Sequence, residues 1–430
     1  MKFDTIIIGG GLSSLVCGIS LQKAGRSTLI VSAGQNALHF SSGTFGLLGK
    51  LPDGTEVTEP LSAIPLLPPE HPYSKIGVTK VSEYAASVPD FFASCGITLS
   101  PAPSLSVMPG PDRASLRNGW RLTPMGTLKP AWLAMRGVTL LPSRTAELGT
   151  KALIVNFDGF LDFHSSFIAE GLEKRGVECR IDRVKLKEIE NLRKNPSEMR
   201  SVGIARVMDR EESWKEFGRT VRSLMKGEDL VVLPEVFGLR GEIITEWLRE
   251  MIPAEVMFIG TMPPSVPGIR TQMILKKAFE AAGGTFLMGD TATGPVFDGD
   301  RVLSIHTSNL GAMPLEATDF VLASGNLFGK GLVASPDKVS EPVFGLDADF
   351  PADRNSWYDE DFFARQEYAG FGVGTDGDFR PFRNGVPIRN LHVIGSEVGG
   401  CNPLYEGSGA GIAIMTAMRV AEELLSERNR

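Results

Sequence analysis

The 430-residue sequence has four cysteines, Cys17, Cys95, Cys179 and Cys401, and no two of them form a C-x-x-C pair. That scatter argues against an iron–sulfur cluster, a thiolate zinc site and a disulfide framework, and it predicts buried thiols in a reducing compartment with no metal centre. No apolar run reaches the ~18 residues that a bilayer span needs, and no charged-then-apolar leader precedes a cleavage site, so neither an anchor nor a signal peptide is predicted. Positive charge is also in deficit. Lys and Arg total 44 against 51 Asp and Glu, a net charge of −7, which argues against nucleic acid or an anionic membrane surface as the main partner. Histidine is scarce, at five residues, which shortens the search for an acid–base group.

Hydrophobic residues make up 42% and charged residues 22%, the balance of a globular enzyme with a large core. Thr5 to Ile8 is an apolar run, read as a buried parallel strand, that leads into Gly9-Gly10-Gly11, and Leu15 to Leu21 reads as the following helix. Gly9 permits the tight turn, and Gly11 lets backbone amides approach a phosphate at the helix N-terminus. With Ser13 and Ser14 these glycines form the expected anion cradle, although Ser14 stands where the fingerprint asks for glycine or alanine. Ser27–Ser32 reads as the second strand of a β-α-β unit. Ser32 occupies the position where dinucleotide enzymes place a carboxylate for the ribose.

Further along, Leu38–Gly46 is a small-residue loop that offers Ser41, Ser42 and Gly43 to a cofactor, and Ser100–Pro111 is a Pro/Ser-rich loop. Strands are predicted at Ala152–Phe157, Glu178–Arg183, Leu230–Pro234 and Val256–Ile259. They alternate with helices at Phe163–Arg175, Trp214–Met225 and Gly241–Met251, the pattern of an inserted α/β domain. A strand at Asp319–Ala323 ends in Ser324-Gly325. Near the C-terminus the strand Leu391–Ile394 enters a Gly395-Ser396 turn, and Gly407, Gly409 and Ala410 open a final helix whose N-terminus suits the negative edge of a reduced flavin. The predicted fold is α/β: a Rossmann-like flavin/dinucleotide-binding domain with an inserted second α/β domain. Its nucleotide-binding parts are 1–75, 261–335 and 385–430, its inserted substrate or interaction domain 76–260, and 336–384 a cap or second-domain segment.

The chain resembles the B subunit of anaerobic glycerol-3-phosphate dehydrogenase over nearly its whole length. The likeness is carried by Phe3-Asp4-Thr5 with its glycine turn, Ala37–Gly43, His71–Ser74, Thr123–Leu128, Ile204–Arg206, Pro263–Arg270 and Gly395-Ser396. The resemblance implies oxidation of sn-glycerol 3-phosphate to dihydroxyacetone phosphate, with electrons passing to the quinone pool through partner subunits. It implies FMN in this subunit, a companion FAD-containing catalytic subunit, and a membrane-associated iron–sulfur subunit that holds a cytoplasmic complex peripherally at the membrane. Ser32 is compatible with FMN, which has no adenosine ribose, while the pyrophosphate-type glycine turn keeps FAD as the alternative. Two other readings stay open: a non-catalytic electron-relay or assembly subunit, and an independent FAD oxidoreductase of the fumarate-reductase type.

Alcohol oxidation needs a base for the hydroxyl proton and a cation for the substrate phosphate. His39, beside the small-residue loop, is the first candidate for the base. His71 is the second and is otherwise a solvated loop residue, while His164, His306 and His392 read as packed or surface residues. Arg270, then Arg380, are the candidate phosphate ligands because guanidinium binds oxyanions bidentately, with Lys129 and Arg206 behind them.

Overall fold

The computed structural model describes residues 1–103, 116–241 and 243–427. Positions 104–111 of the Pro/Ser-rich loop and Glu242 of the predicted helix lie outside the described residues. The chain divides into two compact units, one formed by Met1–Ala37, Gly46–Val88 and Ile274–Arg430, the other by Leu38–Phe45 and Pro89–Met273.

The first unit is built on a seven-stranded sheet of β1 (Lys2–Ile8), β2 (Thr28–Ser32), β3 (Thr285–Met288), β4 (Ala292–Asp298), β5 (Arg301–Thr307), β6 (Leu315–Leu322) and β7 (Leu391–Val393). The order is β3-β2-β1-β6-β5-β4, with β7 also paired to β6. Strands β1, β2, β3, β6 and β7 run parallel, and β4–β5 form an antiparallel extension. A central parallel strand is covered on both faces, which explains the unbroken apolar run: Ile6 and Ile7 are both 0% exposed. Burying each such side chain contributes about 1.5–3 kcal/mol. Helices α1 (Leu12–Lys23) and α2 (Gly409–Glu427) pack on each other. Arg26 fastens this layer to the sheet by donating to Leu424 O at 2.6 Å and to the Asp319 carboxylate at 2.5 Å.

The second unit holds a parallel four-stranded sheet in the order Glu255–Ile259, Leu230–Pro234, Lys151–Phe157, Glu178–Val184. All four strands lie within a residue of the positions predicted from periodicity. The accompanying helices are Ser165–Glu173, Glu211–Leu224 and Ile244–Met251. Its core includes Phe157, Phe217, Phe237 and Phe258, with successive ring centroids 5.0, 5.1 and 5.7 Å apart.

The division differs from the predicted segmentation at 38–45, 76–88, 261–273 and 336–384. Leu38–Phe45 joins the second unit because Thr44–Phe45 pairs with Leu133–Met135 and Gly43 O accepts from Met135 N. Residues 336–384 join the first unit, since Phe379 O accepts from Val393 N of β7 and Val373 O accepts from Gly399 N. Neither pairing leaves a periodic trace in the sequence.

Candidate functional site

At the carboxyl ends of β1, β6 and β7 three turns close on one another, the place where parallel α/β sheets bind ligands. Gly9, at φ +116°, touches Ala323: a Cβ added there would lie 2.1 Å from Ala323 O. A Cβ on Gly10 would lie 2.3 Å from Ser32 Oγ, so Ser32 closes the turn from the side. Gly395 approaches Ser13 Oγ in the same way, at 2.6 Å from a built Cβ, and its amide donates to Thr416 Oγ1 at 2.9 Å. Ser396 Oγ comes within 3.9 Å of a Cβ built on Gly325. The structure thus gathers Gly9, Gly10, Gly11, Ser13, Ser14, Ser32, Ser324, Gly325, Gly395 and Ser396 at one end of one sheet.

Gly11 is the N-cap of α1, no side chain caps it, and a Cβ there would meet nothing within 4 Å. The first amide turned inward is Leu15 N, which donates to Gly11 O; those of Leu12, Ser13 and Ser14 have no acceptor among the described residues, and the first turn carries no acidic residue. Three free amides at the positive end of a 12-residue helix, opening onto unfilled space, fit an anionic phosphate.

Glu397 lies outside the predicted set, yet it fastens two of these turns. It is 0% exposed and accepts from Ser324 N at 2.7 Å, Ser324 Oγ at 2.9 Å and Gly325 N at 3.1 Å. Burial, reinforced by Glu341, pushes its carboxyl well above the usual range, against the pull of these hydrogen bonds. The only local hint is a carboxylate immediately after a glycine turn.

A second cradle forms before α2. Gly407 sits at φ +64° with its carbonyl against Gly46, where a Cβ would lie 2.1 Å from it, and Gly46 O accepts from Gly411 N at 2.8 Å. The amides of Gly409 and Ala410, at the start of α2, are left without acceptors among the described residues. This turn hangs on Glu406. Its Oε1 accepts from Asn402 N at 2.9 Å, and its Oε2 from Ser408 Oγ at 3.0 Å and His71 Nε2 at 3.2 Å. His71 Nδ1 accepts from Tyr73 N, which makes Nε2 the protonated nitrogen that donates. Burial alone would raise the Glu406 carboxyl, but the hydrogen bonds from His71, Asn402 and Ser408 outweigh it and hold the group below the usual range. The reading of His71 as a solvated loop residue is therefore corrected: it is 0% exposed and part of the scaffold.

The predicted residues Ser41, Ser42, Gly43, His39 and Arg270 lie in the second unit. Ser41 Oγ accepts from Gly43 N, and Ser42 Oγ lies 2.9 Å from Thr44 Oγ1. The Leu38–Gly43 and Pro263–Arg270 stretches pack together: His39 O accepts from Ser265 N at 2.8 Å, and a Cβ on Gly268 would lie 1.8 Å from Leu38 O. His39 is half-buried, and its Nε2 donates to Gln272 Oε1 at 2.5 Å, which leaves Nδ1 as the accepting nitrogen.

Arg270 does not fit a substrate-phosphate role. Its side chain is 0% exposed and donates to Phe237 O, Gly238 O and the equally enclosed Glu235 carboxylate, at 3.0, 2.6 and 3.3 Å. It is a structural cation that holds the Glu235–Gly238 turn. Arg380, in the first unit, lies away from the glycine turns in a cleft of about 470 Å³ shared with Arg26, Arg301, Arg389, Asp4 and Asp319, and it pairs with Asp378 at 3.4 Å. His392 is buried near it; burial, aided by Arg380 and Arg419, pushes its imidazole down to about 3, so the ring stays neutral. His164 stacks edge-on to Phe167 at 5.7 Å, and His306 Nδ1 sits 3.3 Å from Gly311 O. Among the described residues no three His, Cys, Asp or Glu side chains converge as a metal site, and no helix is long and apolar enough to cross a membrane.

Residues 4–412 match the FAD binding domain family. The B subunit of anaerobic glycerol-3-phosphate dehydrogenase from Yersinia enterocolitica is 40% identical, and that from Yersinia pseudotuberculosis 38%, each over 99% of both chains. Among solved structures, the 3-ketosteroid Δ1-dehydrogenase of Sterolibacterium denitrificans is similar at TM-score 0.43 and 11% identity, over 99% of this chain and 100% of that one.

Proposed function

We propose, from the premise that this chain belongs to the B-subunit family of anaerobic glycerol-3-phosphate dehydrogenase, that it is the flavin-bearing member of a complex that oxidises sn-glycerol 3-phosphate to dihydroxyacetone phosphate. In this reading electrons leave through an iron–sulfur subunit for the quinone pool. The observation that carries it is the pair of helix N-termini with free amides, Leu12–Ser14 on α1 and Gly409–Ala410 on α2, in one compact unit.

A bound flavin supplies the hydride acceptor for alcohol oxidation. The chain does the rest. The α1 amides would hold the cofactor phosphate, and Gly9 and Gly10 keep side chains out of its approach. The positive end of α2, fixed in place by the Glu406–His71 pair, would favour negative charge on a flavin held there. His39 is the proposed base: Gln272 holds its Nε2–H and leaves Nδ1 to take the hydroxyl proton.

FMN is the first reading of the cofactor, because Ser32 leaves no carboxylate at the end of β2 for an adenosine ribose. FAD is the second, favoured by the family model over residues 4–412. For the reaction, the enclosure of Arg270 favours a second reading, in which this chain relays electrons and the substrate is bound by the companion subunit. Acid release of flavin from natively purified protein, followed by chromatography, separates FMN from FAD. Anaerobic glycerol 3-phosphate should then bleach the flavin of the isolated chain, and His39→Gln should slow that bleaching by about 10²-fold or more. Bleaching that needs the companion subunit would establish the relay reading instead.

A further inference from the structure

The two most exposed large apolar side chains among the described residues are neighbours, Phe362 at 81% and Phe363 at 91%. Their rings stand edge to face, centroids 5.4 Å apart. The loop that presents them is well braced. Asp359 Oδ1 accepts from Asp361 N at 2.8 Å, Asp361 Oδ1 from Phe363 N at 2.9 Å, and Gln366 donates to Asp361 O at 2.9 Å while accepting from Asp359 N at 3.1 Å. Its base is the aromatic cluster of Phe350, Trp357 and Phe371, with centroids 5.3–6.3 Å apart. Two phenyl rings held in water by a hydrogen-bonded loop have lost conformational freedom in advance, which is what lowers the cost of binding.

Charge around the rings selects among partners. Asp353, Asp359, Glu360, Asp361 and Glu367 face only Arg354 and Arg365 within 353–367. Arg354 is stacked on Trp357 at 4.2 Å, and Arg365 is held by Glu367 at 3.1 Å and Pro52 O at 2.9 Å. The acidic residues next to the phenyls are thus uncompensated, and an anionic lipid surface would repel them. A protein pocket with an apolar floor and a basic rim would not.

We propose that the Tyr358–Ala364 loop is the docking element for the companion catalytic subunit, with Phe362 and Phe363 as the buried anchors and Asp359–Asp361 meeting a basic rim. This rests on the reading of the chain as one subunit of a complex. The loop is tied to the second cradle: Asn402 Nδ2 donates to Gln366 O at 2.9 Å, and Asn402 N to Glu406 at 2.9 Å. Docking there sets the partner beside the turn that opens α2.

The test measures binding of the flavin-loaded chain to the purified companion subunit of the same organism, by titration at two salt concentrations. Phe362→Ser/Phe363→Ser should weaken binding by about 10²-fold or more, since anchors of this kind dominate interface energies. Glu360→Lys, whose side chain braces nothing in the loop, should slow association several-fold at low salt and less at high salt. Flavin content and melting temperature should stay as in the wild type in both variants. Wild-type affinity in the double serine variant would overturn the docking assignment while leaving the complex intact. Phe-dependent binding to vesicles of phosphatidylethanolamine and phosphatidylglycerol, with none to the subunit's pocket, would assign the loop to lipid and overturn it too. Failure of the wild-type chain to bind the companion subunit would overturn the complex itself, and the docking site with it.

Discussion

Glu397 and Ser324, 73 residues apart, share three hydrogen bonds: the Ser324 amide donates to Oε2 at 2.7 Å, and its hydroxyl lies 2.9 Å from each carboxylate oxygen. One acid thereby joins the end of β6 to the turn after β7. Because burial raises its folded pKa above the ordinary 4.5, the folded state binds more protons than the unfolded chain at pH values between the two. The stability it contributes is present below about 4.5 and is lost as pH rises through the folded value. Urea unfolding across a pH series should therefore show wild-type stability falling with pH above 4.5. Glu397→Gln should flatten that fall, and at low pH should cost about 1–3 kcal/mol because its amide NH₂ faces backbone donors. Parallel pH curves for the two proteins would remove Glu397 as the source.

Gly11 and Gly9 should separate binding from folding. A side chain at Gly11 meets open space, so Gly11→Glu should fold within about 0.5 kcal/mol of the wild type yet purify without flavin, its carboxylate occupying the phosphate position. Gly9→Ala combines φ +116° with a Cβ 2.1 Å from Ala323 O, and should lose the fold itself. Melting curves and flavin absorbance together distinguish the two outcomes.

His71→Leu would leave the Glu406 carboxylate buried without its imidazole donor. A loss of about 2–4 kcal/mol in urea unfolding is expected, with flavin retention falling as the turn before α2 loosens. The pH signature has the opposite sign from that of Glu397. The folded pKa of Glu406 is lowered, so its contribution is present above the ordinary 4.5 and fades as pH drops through the folded value. The mutant should lack that acid limb, and equal acid sensitivity in both proteins would count against the pair.

Arg270→Met removes a cation enclosed with Glu235. About 3–5 kcal/mol of stability should be lost, since an unpaired buried carboxylate remains, while KM for glycerol 3-phosphate in the folded fraction stays put. A KM raised by about 10² without loss of stability would return Arg270 to the substrate site.

The glycine turns, the β-α-β opening and the four parallel strands of the second unit were legible because each is local. A buried parallel strand must be an apolar run such as Thr5–Ile8 or Ala152–Phe157, and a turn against a neighbouring backbone must be glycine at positions such as Gly9. These patterns depend on a few adjacent residues, so the sequence by itself determined the fold class and the end of the sheet where the glycine turns gather.

Tertiary structure decided which charged groups are exposed. Arg270 looked like a phosphate ligand, but Glu235 and the carbonyls of Phe237 and Gly238, more than 30 residues away, enclose it. His71 looked solvated until Glu406, 335 residues on, supplied its partner. The short strand Thr44–Phe45 went to the second unit because Leu133–Met135 offered an edge. Burial and ion pairing are sums over neighbours brought together by folding, and no periodicity in the chain encodes which distant residue will arrive.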